Sequence, residues 1–393
     1  MLTIVNMEGV YLDNAATTRV DDNVALAVNE VFLESYGNAS SLHDVGQEAR
    51  VKLEEARERI ASHLGCDAKC VIFTSGGTES NNLAIRGLAK AHPEKKHIVT
   101  SVIEHPCVLD TCKDLENEEY EVDYLKVDSQ GLVSLDEITE KIRDDTLVVS
   151  VMYVNNEIGT LQPIEEIGII CRKKGVYFHT DNVQGFLKED LALSSVDLMS
   201  VSGHKVCAPK GVGILYVRDG VKIKPILTGG GQENNLRSGT ENVPGVVGLA
   251  AAIDVDFKID EVRHSRDKII EGLMRIRGTR VNGSLVTRVY NNINVSFYGI
   301  EGEALMLMLN EMGLQVSTGS ACASTKLKES YVLKALGVDE MYIHGSIRMS
   351  LGVNAIGKED YIVQKVREAV EKLREMSPFK FKEEVKDGKE KDN

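Results

Sequence analysis

The chain has 393 residues, of which 42% are hydrophobic and 27% are charged, and its formal net charge is −14. The composition is typical of a globular protein with a sizeable core, and the length predicts roughly two to three domains. The acidic balance argues against nucleic acid or an anionic membrane as the main partner. Residues 1–10 are too few and too polar for a signal peptide or a membrane span, so we expect a cytoplasmic protein.

Short apolar runs alternate with helical stretches between about residues 50 and 220. A first long helix is predicted over residues 43–64, whose Glu, Arg and Lys side chains favour i,i+4 pairing on a solvent face. The strands are mostly continuous β-branched runs, as expected where helices cover both faces of a sheet. Alternating strands and helices predict a mainly parallel, doubly wound α/β sheet. The predicted strands are residues 71–74, 98–101, 122–127, 147–154, 176–179, 198–201 and 212–217.

The alternation of predicted strands and helices ends after residue 218. A glycine-rich loop at residues 228–233 precedes a long predicted helix over residues 246–273, which we expect to cross into a second, smaller lobe at about residues 256–375. Residues 378–393 have mixed charge and few apolar side chains, which predicts a disordered tail. The smaller lobe has predicted strands at residues 291–297, 315–317 and 346–350, and predicted helices at residues 302–312 and 358–374.

Seven cysteines are spread along the chain, at positions 66, 70, 107, 112, 171, 207 and 322. An odd number over so long a chain does not indicate a disulfide framework. Neither close pair, Cys66 with Cys70 or Cys107 with Cys112, has the spacing of a zinc site, so no resident metal is predicted.

The ends of the predicted strands are where a site is expected, because doubly wound sheets bind ligands at the carboxyl ends of their strands. Small, polar and ionisable residues gather at these ends. They are residues 75–78, 104–105, 155–157, 180–181 and 202–205.

Lys205 follows an apolar strand-like run and stands beside Ser202, Gly203 and His204. A lysine amine held in a pocket forms a Schiff base with a carbonyl cofactor, which is the commonest covalent role of lysine. The alternative is a lysine just past a strand end that points into water.

The turn Ser75-Gly76-Gly77-Thr78 lies between a predicted strand and a predicted helix. Free backbone N–H groups at a helix start suit a phosphate, and Thr78 adds a hydroxyl donor. The turn matches neither the nucleoside-triphosphate pattern nor the dinucleotide pattern. The alternative is a plain capped turn.

Four further polar residues at strand ends could surround an aromatic ring. Asp181 could hold a pyridine nitrogen protonated, and His105 could stack on the ring and handle protons. Asn156 and Gln184 could bond ring substituents. Each alone could equally be a satisfied buried polar group, but together with Lys205 and a phosphate loop they describe pyridoxal phosphate.

Cys322 lies in a Gly/Ser/Ala-rich loop, residues 317–325, without bulky neighbours. A reactive thiolate needs exposure and mobility, which such a loop provides, and an incidental loop cysteine is the alternative. Arg348 stands inside an apolar strand pattern at residues 345–350. It could clamp the α-carboxylate of an amino acid, or it could form an internal salt bridge.

Seven blocks of sequence, in order, resemble the cysteine desulfurases of the NifS/IscS type over about residues 11–377. The S-T-G-S-A-C block is similar to the group with a long cysteine loop. The blocks are Y-L-D-N-A-A-T-T, T-S-G-G-T-E-S-N-N, E-H, V-N-N-E-I-G, S-G-H-K, G-G-G-Q-E with R-S-G-T, and S-T-G-S-A-C.

The resemblance implies a homodimeric pyridoxal-phosphate enzyme of fold type I, with a mainly parallel seven-stranded sheet, that converts L-cysteine to L-alanine. Lys205 would carry the cofactor and take the Cα proton, and Cys322 would receive the sulfur as a persulfide and could contact a cluster during transfer. The phosphate would be held by Gly77, Thr78, Ser202, His204 and, from the partner subunit, Thr240. The ring would be held by His105, Asp181, Asn156 and Gln184. The substrate carboxylate would be held by Arg348 and Asn156.

The resemblance also implies a large cofactor-binding domain over residues 15–255 and a smaller domain, residues 1–14 and 256–377, that carries the cysteine loop. The sulfur acceptor would be an iron–sulfur scaffold protein or a tRNA-thiolation partner. A selenocysteine lyase or an aminotransferase on the same scaffold, and a scaffold without cofactor, are the alternatives.

The chain departs from the family pattern near the expected site. Asn182 and Val183 stand at the A-x positions of the usual D-A-x-Q, Gly77 stands where alanine is common, and Val206-Cys207-Ala208 replaces the frequent aromatic–glycine pair after H-K. Ala39 replaces a usual proline. None of these changes removes a chemical group that the reaction needs.

Overall fold

A seven-stranded sheet forms the centre of the computed structural model, which describes residues 9–318 and 329–378. The strands are β1 (Val10–Tyr11), β2 (Val71–Thr74), β3 (His97–Ser101), β4 (Glu121–Leu125), β5 (Thr146–Ser150), β6 (Tyr177–Asp181), β7 (Leu198–Ser202), β8 (Gly213–Val217), β9 (Thr279–Val281), β10 (Asn292–Phe297), β11 (Leu314–Gln315) and β12 (Ser346–Ser350). The helices are α1 (Asp22–Glu34), α2 (Asp44–Leu64), α3 (Gly77–Ala91), α4 (Pro106–Glu116), α5 (Leu135–Lys141), α6 (Ile164–Lys174), α7 (Val243–Ala251), α8 (Ile259–Met274), α9 (Gly302–Glu311), α10 (Tyr331–Ala335), α11 (Glu340–Ile343) and α12 (Glu359–Met376).

The central sheet has the strand order β2-β8-β7-β6-β5-β3-β4, and only β8 runs antiparallel to its neighbours. One apolar core lies between the sheet and α1, α2, α6 and α7, and a second lies between the sheet and α3 and α4. Helices on both faces bury strands such as β2, β5 and β7 completely, which explains their continuous apolar runs. The mainly parallel, doubly wound sheet is therefore confirmed.

The first long helix predicted, residues 43–64, agrees with α2 to within one residue, and a capping residue defines each end. His43 precedes α2 and accepts a hydrogen bond at Nδ1 from the Gly46 backbone at 3.3 Å, so the predicted helix begins one residue later, at Asp44. Gly65 ends α2 in the left-handed conformation with φ of 71°, which costs glycine no steric strain.

The long helix predicted over residues 246–273 is wrong. The chain instead forms α7, a short 3-10 turn at Ala252–Asp254, and then α8. Lys258 has φ of 49°, a left-handed conformation that no α-helix contains, and its backbone N–H donates to Asp256 Oδ1 at 2.9 Å. A local aspartate turn thus outweighed the apolar period of this stretch.

A second body of structure follows α7. Its three-stranded antiparallel sheet has the order β12-β10-β9, and α8, α9 and α12 share its apolar core. The start of the described chain joins this body, because β1 pairs in parallel with β11. Among the described helices, none is long and apolar enough to cross a membrane.

Candidate active site

Lys205 lies in a short 3-10 turn directly after β7, at the carboxyl edge of the sheet. Its Nζ donates to the backbone oxygens of Ala15 and Ala16 at 2.7 and 2.6 Å. Gln184 Nε2 donates to the same Ala15 oxygen at 2.9 Å. The part-buried amine therefore bonds back onto the protein beside Gln184 and does not point into water, and its role as a Schiff-base lysine stays a prediction.

The chain before α1 lines the site from one side. His204 Nδ1 lies 3.1 Å from Thr17 Oγ1, and Thr18 Oγ1 donates to the His204 backbone oxygen at 3.0 Å. Burial and the nearby Lys205 amine lower the pKa of His204 to about 4, so its ring is neutral at pH 7. The sequence predicted no individual role for residues 13–18, although they contact much of the predicted site.

A polar network joins Asp181 to His105. Asn81 Nδ2 donates to Asp181 Oδ2 at 2.7 Å and lies 3.1 Å from Cys107 Sγ, which in turn lies 3.0 Å from His105 Nδ1. Burial lowers the pKa of His105, an effect that Asp181 opposes and Lys205 reinforces. The structure thus brings together His105, Asp181 and Lys205, as predicted from three separate strand ends, and adds Asn81 and Cys107, which the sequence did not single out.

The turn before α3 forms a cradle of backbone. Gly76 has φ of 150°, a conformation that favours glycine, and no side chain caps the first turn of α3. Ser202 Oγ lies 3.6 Å from the position that a Cβ on Gly76 would occupy. Uncapped N–H groups beside a serine hydroxyl suit a phosphate, and Thr78 lies in the same first turn.

Two departures from the family pattern compensate each other in this cradle. A Cβ on Gly77 would lie 2.7 Å from Val183 Cγ2, so the valine occupies the space that a methyl at residue 77 would need. The glycine and the larger residue at 183 are therefore one packing solution.

We expect Gly77→Ala to destabilise the protein by about 1–3 kcal/mol, because the β-branched Val183 has little freedom to move away. Val183→Ala should relieve most of that cost in the double variant. Urea unfolding of the two single variants and the double variant measures the coupling. Equal stability of Gly77→Ala and the unmodified protein would contradict the packing assignment.

Arg348 lies in β12 and is almost fully buried. Its Nη2 donates to Asp13 Oδ1 at 2.8 Å and its Nη1 donates to the Asn156 backbone oxygen at 3.0 Å, while its buried Nε has no partner. The internal salt bridge considered for Arg348 is therefore present, with Asp13. An unpaired guanidinium donor remains, so the carboxylate clamp stays a prediction.

Both flanks of the predicted cysteine loop are fixed next to the site. On one side the backbones of Ser317 and Arg348 pair, with N–O distances of 3.1 and 2.7 Å. On the other side Ser330 Oγ donates to Glu157, and Tyr331 Oη donates to the Glu104 backbone oxygen at 2.6 Å. Cys322 itself, within residues 319–328, lies outside the described residues.

Thr240 is exposed, and among the described residues it makes no hydrogen bond with the other predicted site residues of its own chain. Two ion pairs hold the loop before it. Arg57 forms a bidentate pair with the buried carboxylate of Glu233 at 2.7 Å, and Arg237 donates to Glu79 of α3 at 2.8 Å. Thr240 is therefore presented outward from a fixed loop.

Lys188 is a buried amine that the sequence did not reveal. It is 5% exposed, it forms no ion pair within the described part of the chain, and its Nζ lies 3.5 Å from Gln184 Oε1. Burial, reinforced by Lys205, lowers its pKa to about 7. The only signal in the sequence for this buried amine is its spacing of four residues from Gln184, on the buried side of the turn.

The amine of Lys188 predicts a pH-dependent stability. Between pH about 7 and about 10 the unfolded chain binds a proton that the folded chain lacks, so the free energy of unfolding rises with pH. Lys188→Met removes this group, so the variant should be more stable than the unmodified protein near pH 7, with a gain that shrinks toward pH 10. Thermal unfolding from pH 6 to 10 measures this, with the exposed Lys173→Met as control. Parallel pH profiles for Lys188→Met and the unmodified protein would refute the assignment.

The family model for aminotransferase class-V matches residues 10–360 of the chain. A cysteine desulfurase IscS of Methanosarcina thermophila is 49% identical over 385 residues, which cover 96% of this chain and 95% of that protein. A cysteine desulfurase IscS of Dictyoglomus turgidum is 46% identical and aligns over 94% of this chain and 97% of its own. Among solved structures, a NifS-like protein has a TM-score of 0.87 and 40% identity over 93% of this chain and 100% of its own. SspA in complex with cysteine has a TM-score of 0.79 and 37% identity over 87% of this chain and 98% of its own.

Proposed function

The chain belongs to the class-V aminotransferase family, and from this membership we propose that it is a cysteine desulfurase that uses pyridoxal phosphate to convert L-cysteine to L-alanine and enzyme-bound sulfur. Its fold is that of the type I pyridoxal-phosphate enzymes. The observation that carries the proposal is the Lys205 amine, which bonds two backbone oxygens and lies near His105 and Asp181 at the carboxyl edge of the sheet.

The residues at this edge fit pyridoxal phosphate. The uncapped start of α3, with Gly77 and Thr78, and the hydroxyl of Ser202 suit the phosphate, together with His204. The buried carboxylate of Asp181 suits the ring nitrogen. When bound, the cofactor supplies an aldehyde for an amine and a ring that withdraws electrons from Cα.

The chain's own residues would divide the work on L-cysteine. Arg348, with Asn156, binds the substrate carboxylate and so orients Cα. Lys205 Nζ takes the proton from Cα, and His105, whose pKa burial lowers, is a neutral ring that can stack and donate a hydrogen bond from its N–H. Gln184, whose amide contacts Ala15 and Lys188, would bond the oxygen substituent of the ring.

Cys322 is the proposed acceptor of sulfur. Its thiolate attacks the substrate sulfur, the C–S bond breaks, and a persulfide remains on Cys322. Support comes from the other cysteines, because burial raises the pKa of all six described thiols, to about 11 for Cys66 and about 12 for Cys171. None of these six is a ready nucleophile at neutral pH.

We further propose a two-fold dimer in which Thr240 of each subunit reaches the cofactor phosphate of the other. The outward presentation of Thr240 from its braced loop supports this geometry. A group of exposed apolar side chains on α1 and the segment after it supports an interface on this side. They are Leu26, Phe32, Leu33, Tyr36 and Leu42.

The division into a large domain (residues 15–255) and a small domain (residues 1–14 and 256–377) is likewise a proposal, supported by the separate apolar core around β10.

We propose a cytoplasmic enzyme, in keeping with six free described thiols. Its persulfide would supply an iron–sulfur scaffold protein, a tRNA-thiolation partner, or both.

Turnover of L-cysteine by the purified, cofactor-loaded protein tests the function. We expect alanine and sulfide in equal amounts when a thiol reductant is present. Faster release from selenocysteine than from cysteine would indicate a selenocysteine lyase. Cofactor-dependent amino transfer to a keto acid, without sulfide, would indicate an aminotransferase. A protein that takes up no pyridoxal phosphate would refute all three enzyme functions.

A further inference from the structure

Cys107, in the first turn of α4, contacts the ring that precedes the helix. Its Sγ lies 3.0 Å from His105 Nδ1, and its backbone N–H donates to the same nitrogen at 3.2 Å. The thiol is also 3.1 Å from Asn81 Nδ2, whose nitrogen donates to Asp181 at 2.7 Å. The thiol therefore lies between His105 and, through Asn81, Asp181, which are the two groups that would flank a bound ring.

The direction of each hydrogen bond in this network follows from its chemistry. The carboxylate of Asp181 only accepts, so the nitrogen of Asn81 and not its oxygen faces Asp181. That nitrogen can only donate, so Cys107 Sγ accepts from it. Thr78 also bonds the thiol in the sense that lowers its pKa, which means that its hydroxyl donates to the sulfur. The proton of the thiol is then left for His105 Nδ1.

The thiol keeps its proton throughout the neutral range. Burial, with a contribution from Asp181, raises the pKa of Cys107 to about 12. Two donors, the thiol and the backbone N–H of Cys107, thus converge on His105 Nδ1 and leave no acceptor for a proton there. The neutral ring must carry its proton on Nε2.

We propose that Cys107 is a positioning residue that, with Asn81, holds His105 in the tautomer with a bare Nδ1 and a protonated Nε2. The proposal rests on the proposed function, in which His105 lies against the cofactor. If His105 were a cation, its Nδ1–H would face the thiol and the backbone N–H of Cys107, which are both donors. The arrangement therefore also opposes protonation of the ring. The ring would then serve as a neutral partner that offers Nε2–H to the reacting groups.

The test is the nitrogen NMR spectrum of the cofactor-loaded, full-length protein labelled with 15N-histidine. The signal of His105 is identified by its loss in His105→Asn. We expect an unprotonated Nδ1 and a protonated Nε2 in the unmodified protein. In Cys107→Ala the titration midpoint of His105 should rise by about 0.5–1 pH unit, the three- to ten-fold change expected from the loss of one hydrogen bond.

Two matched variants separate this effect from a loss of packing. Cys107→Ser retains a donor and should keep the midpoint low. Cys112→Ala empties a similar buried volume in α4 and should leave His105 unchanged. Asp181, Asp110 and Lys205, the charged groups that act on His105, are the same in every variant.

A protonated Nδ1 in the unmodified protein, or an unchanged midpoint in Cys107→Ala, would overturn the proposal. The readout needs no turnover of cysteine. Failure of the desulfurase assay with the expected nitrogen signals would therefore refute the function and leave the role of Cys107 standing. Desulfurase activity without the expected nitrogen signals would refute the role of Cys107 alone.

Discussion

Lys205→Ala is expected to remove the visible absorbance of bound pyridoxal phosphate and to slow alanine formation from cysteine by at least about 10³-fold. Alanine offers neither an amine for covalent attachment nor a base for the Cα proton. It also leaves the backbone oxygens of Ala15 and Ala16 without the donors they have at 2.7 and 2.6 Å. Absorbance spectra and alanine release under saturating cysteine measure both effects.

Lys205→Arg is the matched control, because it keeps a positive charge near the two backbone oxygens but cannot act as the amine or as the base. It should be as inactive as the alanine variant. Alanine release at a tenth or more of the normal rate by either variant would remove Lys205 from the centre of the reaction. A loss of thermal stability in Lys205→Ala, but not in Lys205→Arg, would separate the structural part of the role of Lys205 from its chemical part.

Cys322→Ser is expected to keep the cofactor absorbance and its change on adding cysteine, yet to release sulfide at least about 10²-fold more slowly under reductant. The hydroxyl is a far weaker nucleophile toward sulfur than a thiolate, and no persulfide can form on it. Mass spectrometry of the protein after cysteine treatment, without reductant, should find a mass increase of one sulfur atom only when Cys322 is intact.

Cys66→Ser is the control for this experiment, because Cys66 is a half-buried thiol whose pKa burial raises to about 11. It should retain sulfide release and the persulfide. Normal sulfide release by Cys322→Ser would move the acceptor role to another thiol, and combined substitutions at Cys107 and Cys207 would then identify it.

Much of the fold followed from local patterns. Strands such as β2 and β12 were predicted at their observed bounds, because a buried strand is a continuous apolar run with polar residues at its end. The break between α7 and α8 could not be predicted from apolar period, because it depends on the turn at Asp256 and on Lys258 in a left-handed conformation.

The site was predicted in its parts but not in its connections. Lys205 and His105 each follow a strand and Asp181 ends one, and strand ends meet at one edge, so their convergence was foreseeable. The fit of Val183 against Gly77 depends on a 2.7 Å approach across the site, and the lowered pKa of Lys188 depends on its burial without an ion pair to any described carboxylate. Such distances are properties of packing in three dimensions.

Arg348 belongs to the body around β10, Asn156 follows β5 of the central sheet, and Asp13 precedes α1. One guanidinium therefore fastens three parts of the chain that are remote in sequence. If the proposed substrate carboxylate binds the same guanidinium, ligand affinity would be coupled to the docking of the two proposed domains, and the coupling would be reciprocal. By linkage, the factor by which the amino acid changes the docking equilibrium equals the ratio of its affinities for the docked and undocked forms, so substitutions that shift this docking, even far from the pocket, should change the observed affinity for the amino acid.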